Sequence, residues 1–418
     1  GFTQPADINV GDLVQWRNLA MIEINHDLKQ LTQELDILYP LKALKIKAKY
    51  HLVGRFMYDG VYDVGPEPFQ DVRDLDKENI DNFKQAYDLW EAYVDLSRGP
   101  LFFRIGRQNL AWGETDVFRL LDGINPLDNT FGGVFEDLDD RRIPLWMLRG
   151  SYNFGTVGPV SALTVEGFWV PGNLDVHVAP MSPIGTAYSA PQPSAPIPTF
   201  VLTPGKKMSS SRWGARLQGV LLDSVNLSVG HYKSYMDLPS SVLNVKDTGE
   251  LLPDYSLEVY YDDVQVTGGA ANWWESHLDA VIRTEVAWFW EESIFIPEEN
   301  APLIPTGLPI PGLEVLPAQG HKTEKDILRW MIGFDKNFWI RRLNKTQTFF
   351  LSMQYFGQYI PNYDDRIKQA VTIYPSTEEY ASVKEVEGTF TFLMSTSYLS
   401  GQLTPQLVTA YDARGAWM

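Results

Sequence analysis

Nine charged side chains stand where alternation turns them to the polar face of an extended stretch, namely Arg55, Glu91, Arg212, Arg216, Arg283, Glu285, Arg329, Asp335 and Glu387, and a tenth, Arg107, is expected to join them through a local break in the pattern. Charges of both signs on one face of a sheet can line a water-filled passage and select among solutes. Alternatively they pair across it and stitch it shut. They do not read as a catalytic set. The six histidines are scattered, with no His-Glu pair at metal spacing. No Gly-x-Ser-x-Gly elbow and no phosphate loop occur, and the pair Glu291–Glu292 falls at a strand end. Catalysis is therefore not expected, nor a cofactor. The acidic cluster Asp137, Asp139 and Asp140 could hold calcium, a hard cation that takes several oxygen ligands. Asp71, Asp74, Asp76 and Glu78 form a second such cluster. Neither has an EF-hand glycine or spacing, so solvated acidic loops are the plainer expectation. Such loops can also bridge through divalent ions to lipopolysaccharide.

Positioning these charges requires strands, and period-2 alternation is the dominant pattern of the chain. Leu44, Ile46, Ala48, Tyr50 and Leu52 oppose Lys45, Lys47, Lys49 and His51. Leu278, Ala280, Ile282 and Val286 oppose His277, Asp279, Arg283 and Glu285. About fourteen strands follow: 12–26, 41–59, 84–97, 100–112, 144–154, 158–170, 211–223, 225–235, 257–267, 276–295, 326–340, 346–359, 384–400 and 402–417. The connections alternate in length. Short ones fall at 97–100, 155–158, 223–225, 341–345 and 400–402, with medium ones at 27–40 and 268–275. Long ones lie between, at 60–83, 113–143, 171–210, 236–256, 296–325 and 360–383.

In a bilayer a sheet can span only as a closed barrel, because every backbone polar group needs an internal partner. Outer-membrane barrels have short periplasmic turns and long extracellular loops. The expected fold is thus all-β, a single antiparallel transmembrane β-barrel over 1–418 in a bacterial outer membrane. Parity places the first strand as starting outside and the last as running outward. This reads as a chain trimmed at both ends, with about sixteen strands when whole; a fourteen-strand barrel is the alternative. Composition agrees. The 13 Trp, 20 Tyr and 21 Phe suit interfacial girdles. A net charge of -18 leaves no basic stripe for nucleic acid. Cysteine is absent, which removes disulfides and thiolate sites. The longest uncharged run, Val178 to Gly205, carries seven prolines and reads as a loop.

Two local features complicate the pattern. Phe103 and Ile105 face outward, which would turn Arg107 outward as well, at a cost of about 2–4 kcal/mol at mid-depth. A bulge at Gly106 would swing it into the lumen, and the lumen is the expectation; a snorkelling rim Arg is the alternative. The segment 113–143 is too long for a turn. Val117 to Leu121 is amphipathic enough for a short helix, and Asp137 to Arg142 is charge-dense. The segment is expected to fold into the barrel as a constriction or plug, its charged end meeting Arg107, Arg212 and Arg283. An exposed loop is the alternative, as it is for the proline-rich 296–325.

Three motifs carry a family resemblance. Gly106-Arg107-Gln108-Asn109-Leu110-Ala111-Trp112-Gly113-Glu114 is similar to a "GRQ…WG" strand, Asn125-Pro126-Leu127-Asp128 to an "NP-D" step, and Arg142-Ile143-Pro144 to the "R-P" that opens the next strand. In this order they resemble an outer-membrane barrel family of unknown function. Its members are commonly encoded beside RND-type exporters of hydrophobic substrates and lipoprotein-carrier-like periplasmic proteins. The resemblance implies transport or trafficking of lipid-like cargo with an exporter and a carrier, and supplies no catalytic residues. A general diffusion porin for small polar solutes and a structural docking barrel are the alternative functions.

Overall fold

In the computed structural model, the described residues are 11–28, 45–116, 118–131, 138–183, 185–187, 199–237, 239–246, 254–297, 303–305, 315–317, 320–363, 367, 384–412 and 416–417. In chain order the strands are β1 (Arg17–Asp27), β2 (Lys47–Asp59), β3 (Gln85–Arg98), β4 (Leu101–Gln108), β5 (Leu145–Val157), β6 (Val160–Val170), β7 (Thr199–Leu202), β8 (Arg212–Leu221), β9 (Val225–Tyr235) and β10 (Ser240–Lys246). They continue as β11 (Asp254–Tyr260), β12 (Asp263–Glu275), β13 (Ala280–Pro297), β14 (Leu303–Pro305), β15 (Val315–Pro317), β16 (Gly320–Phe338), β17 (Phe349–Tyr359), β18 (Val386–Ser395), β19 (Gln406–Asp412) and β20 (Ala416–Trp417). The helices are short: α1 (Val61–Val64), α2 (Glu67–Leu75), α3 (Lys77–Phe83) and α4 (Leu138–Arg141). No helix among the described residues is long and apolar enough to cross a membrane.

Fifteen strands form one sheet in the order β1-β2-β3-β4-β5-β6-β8-β9-β12-β13-β16-β17-β18-β19-β20, a meander of antiparallel neighbours. Directly paired residues share a face, so the register separates two chemistries. One row runs Ile105, Leu148, Trp169 and Trp213 across four strands, and all four are exposed. A row on the other face runs Phe168, Gly214, Tyr232, Val266, Phe289 and Ile327. Its five side chains are buried. Gly214 lets the aromatics close over it, since a Cβ there would stand 2.6 Å from Tyr232 Cβ and 2.7 Å from Phe168 Cε1. An apolar face left open to the surroundings and a packed inner face are the barrel pattern.

The sheet is rolled. On its inner face, residues 109–116 and 118–131 reach Arg17 of β1, whose guanidinium lies 5.5 Å from the Phe131 ring, and Phe356 of β17, 5.2 Å from the Phe118 ring. Twelve strands laid flat at about 4.8 Å spacing would hold β1 and β17 about 50 Å apart. A single segment meets both because the sheet curves around it, as an antiparallel β-barrel does.

Departures from expectation are local. The strand expected at 257–267 is two, β11 and β12, and the connection expected at 268–275 is the second half of β12. The long loop 60–83 holds α1, α2 and α3 around Val61, Tyr62, Phe69 and Ile80. β7, β10 and β11, from two other long loops, form a separate three-stranded sheet, and β14 pairs with β15 in the proline-rich loop. Residues 118–121 are not helical. Leu121 N instead donates to Glu285 and Leu120 O accepts from Tyr232, both side chains of the barrel wall; Val117, at the start of the expected helix, lies outside the described residues.

Candidate functional site

The inner face of the barrel is occupied. After β4 the chain turns inward at Asn109, whose side chain donates to Glu91 at 2.8 Å. Asn125 then ties the way in to the way out. Its side-chain oxygen accepts from Leu110 N at 3.0 Å, and its amide donates to Gln108 O and Ile143 O at 3.2 and 2.8 Å. Pro126 O accepts from Ile143 N at 2.9 Å, and Asp128 caps Thr130 N at 3.0 Å. A carboxamide has donors and an acceptor to satisfy three backbone groups at once, and the Asn-Pro step supplies it where the chain doubles back.

Between these ties the segment buries Leu110, Trp112, Leu120, Leu121 and Ile124 against the inner wall. Trp112 packs edge-on to Phe168 and Tyr232, and its Nε1 donates to Glu166 at 2.8 Å. Tyr232 Oη accepts from Gly123 N at 3.2 Å, Ser234 donates to Ile124 O at 3.1 Å, and Asp237 accepts from Leu127 N at 3.2 Å while pairing with Arg119. Glu285, fully buried, accepts from the backbone of Glu114 and, at 3.2 Å, of Leu121.

Nine of the ten anticipated charges stand on the inner face. Arg283 pairs with Asp335 at 2.6 Å and grips Asp116 of the segment, which Gln354 also reaches at 2.9 Å. Arg329 clamps Glu292 through two bonds of 2.7 and 2.8 Å. Arg216 meets Glu166 at 3.0 Å, and Arg149 meets the same carboxylate. Arg55 lies over Trp90 at 3.5 Å and donates to Asp140 O. Glu91 faces His51 at 3.1 Å, Arg212 is buried and donates to His177 O, and Glu387 accepts from Lys384 N at 3.0 Å.

Arg107 is the correction. It stands opposite Trp146 on the outward face, and its Nε donates to Pro144 O at 3.3 Å. No register shift occurs at Gly106, so the expected bulge does not form. Gly106 is required for another reason. Its φ is +137°, and a Cβ there would fall 2.1 Å from Ala92 O. The charged end of the segment also bonds differently from expectation. Arg142 turns to Asp122 and Asp139, not to the wall, and the partner of Arg283 is Asp116. Asp137 lies outside the described residues. Asp139 is neutralised by Arg142, and no group of three or more carboxylates and histidines among the described residues is placed to hold a metal.

Asp116, Glu166, Tyr232 and Asp237 escaped the sequence reading. Glu166 and Tyr232 sit at inward parity and were legible in principle. Asp116 and Asp237 lie in irregular backbone, where alternation carries no information.

The sequence profile of a family described as "Protein of unknown function (DUF1302)" matches residues 22–417. No curated protein matches the sequence. Solved structures with a similar path include outer-membrane expressed OmpT of Vibrio cholerae (8% identity, TM-score 0.38, covering 88% of this chain and 79% of that one). A second is an anion-selective porin from Comamonas acidovorans (12% identity, TM-score 0.38, 88% and 74%). A third is Salmonella typhi OmpF in complex with daunomycin (10% identity, TM-score 0.40, 94% and 90%).

Proposed function

The chain belongs to the DUF1302 family, and from that premise and its geometry we propose that it is an outer-membrane barrel passing hydrophobic or amphiphilic molecules, closed at rest by residues 109–116 and 118–131. The observation that carries this reading is the apolar lining of the half nearer the long loops. Phe168, Val266, Phe289, Ile327 and Met331 meet the buried apolar residues of the segment there. Were the segment displaced, it would uncover an apolar wall. Such a wall accepts hydrocarbon without desolvation cost, and the arginines beside it, Arg329 and Arg216, are already paired with Glu292 and Glu166. An inner-membrane exporter and a periplasmic carrier would deliver such cargo to the short-turn side. Passage, not catalysis, is the activity this arrangement favours.

A diffusion pore for small polar solutes is the second reading, favoured by the polar inner residues near the short turns. Planar-bilayer recording separates the two. The wild-type chain is expected to conduct ions poorly. Asp116→Ala, which removes the tie to Arg283 and Gln354, is expected to raise the open fraction roughly fivefold, for about 1 kcal/mol of a partly solvated contact. Vesicles carrying the variant should release a fluorescent fatty acid faster than sucrose. A large steady wild-type conductance, with sucrose permeation unaffected by Asp116→Ala, would establish the polar pore instead.

A further inference from the structure

Beneath the segment, on the short-turn side, the register of three neighbouring strands builds a concavity. The inner rows are Arg216, Gly230 and Gly268; then Gln218, Ser228 and Ala270; then Val220, Asn226 and Asn272. Below the first row, whose glycines are covered by Arg216 and by Leu121 of the segment, the small residues Ser228 and Ala270 leave a hollow. Arg216, Gln218, Asn226 and Asn272 rim it, and Trp112 and Glu114 complete its lining. The chamber measures about 320 Å³. Its roof is fixed: Glu285 holds Glu114 N, Arg283 holds Glu114 O, and Trp112 is bonded to Glu166.

The groups around the hollow define what it would take. Asn226 donates to Asn272 at 2.7 Å, which orients both amides and leaves each with further capacity. Gln218 and Ser228 make no side-chain hydrogen bond to the described protein. Arg216 shares Glu166 with Arg149, has the Glu114 carboxylate on the same chamber, and lies 5.2 Å from the Trp112 ring centre. Three carboxamides, a hydroxyl, one paired guanidinium, one carboxylate and an indole offer donors and acceptors in balance. They give no excess of positive charge to hold an anion. Planar side chains that donate and accept in pairs, beside an aromatic ring, match vicinal hydroxyls. Each hydroxyl both donates and accepts, and the C–H face of a sugar ring is apolar.

We propose that this chamber binds a neutral, hydroxyl-rich group: a free saccharide, or the sugar headgroup of an amphiphile arriving from the short-turn side. The inference goes beyond the passage function. It is read by binding to the closed protein, so it can stand if the hydrophobic-cargo reading falls, and fall if that reading stands.

The test uses the full chain in lipid nanodiscs, with empty nanodiscs as blank, titrated calorimetrically with maltotriose, decyl maltoside below its micellar concentration, and glucose 6-phosphate. Saturable binding of maltotriose identifies a free-saccharide site, and binding of decyl maltoside alone identifies a headgroup site. In either case Gln218→Ala/Asn272→Ala should weaken it about tenfold or more, through loss of two hydrogen-bonding partners. Ser228→Leu, which fills the hollow from the middle strand, should abolish it and serves where the double variant fails to assemble. Binding of neither neutral probe, tighter binding of glucose 6-phosphate than of both, or unchanged binding in every variant that assembles overturns the proposal.

Discussion

At the scale of single residues, facing decides consequence. Leu148 is exposed in the outward row between Ile105 and Trp169, whereas Gln218 stands on the inner face opposite Ser228. An arginine at Leu148 would meet hydrocarbon, at about 2–4 kcal/mol near mid-depth. At Gln218 it would meet the polar chamber and water. Leu148→Arg is therefore expected to cut the yield of heat-modifiable, folded barrel several-fold, and Gln218→Arg to leave it near wild type. Equal yields from the two would mean that the outward row does not face lipid. The same parity explains what sequence made legible. Arg283, Glu285, Arg329 and Asp335 sit in long uninterrupted alternation and were assigned to the face on which they stand. Arg107 departs from the expected face because Gly106 forms no bulge and instead accommodates the close approach of Ala92 O without shifting register.

Among elements, the strands were legible and the insertions were not. Most runs of alternation correspond to single strands because each strand repeats one rule over many residues, whereas 257–267 straddles β11 and β12 and 402–417 takes in both β19 and β20. The helices in the 60–83 connection are short pieces broken at Gly65 and Asp76, too brief for a helical period to emerge. Their cohesion comes from contacts distant in sequence. Tyr62 packs edge-on to Phe69 and Phe83, and Lys84 reaches Asp63 at 2.7 Å and Asp81 at 3.0 Å. Hydrogen bonds from Lys77, Arg73 and Lys84 hold the Asp81 carboxyl well below the usual carboxylate range. Burial pushes Asp63 up, but bonds from Lys84 and Tyr58 and the charges of Lys84 and Arg73 bring it below its ordinary value. A carboxyl depressed by folding contributes stability that is present above its unfolded pKa of about 4 and lost as pH falls. Hydrogen exchange should accordingly show residues 61–83 losing protection as pH drops below about 4, while β5 and β6 keep theirs. Protection that persists through strong acid, or is lost only on the alkaline side, would show that the aromatic core alone holds the insert.

At the scale of the whole molecule, the lumen divides into two tiers. The tier nearer the long loops is filled, apolar side chains of wall and segment packing there around the Arg329–Glu292 and Arg119–Asp237 pairs. The tier nearer the short turns is polar and hollow. Alternation could indicate which residues face inward, but not that an irregular segment would pack against them. Occupation depends on Asn125, Asp116 and Tyr232 meeting groups far away in sequence. The division makes a directional prediction, and the chain's lack of cysteine permits a clean test, since any introduced thiol is the sole one. Val64, on α1 at the long-loop side, is well exposed, at 67%. Asn272 lines the chamber on the opposite side of the segment. With long loops outward, Val64→Cys in intact cells should react rapidly with a membrane-impermeant maleimide. Asn272→Cys should stay protected until the outer membrane is permeabilised and reagent enters from the periplasm. Adding Asp116→Ala to Asn272→Cys should speed labelling from outside about fivefold, because one of the ties between segment and wall is gone. Protection of Val64→Cys with labelling of Asn272→Cys would invert the orientation. Rapid external labelling of both in the otherwise wild-type chain would mean that the segment leaves a continuous aqueous path, and that the barrel stands open at rest.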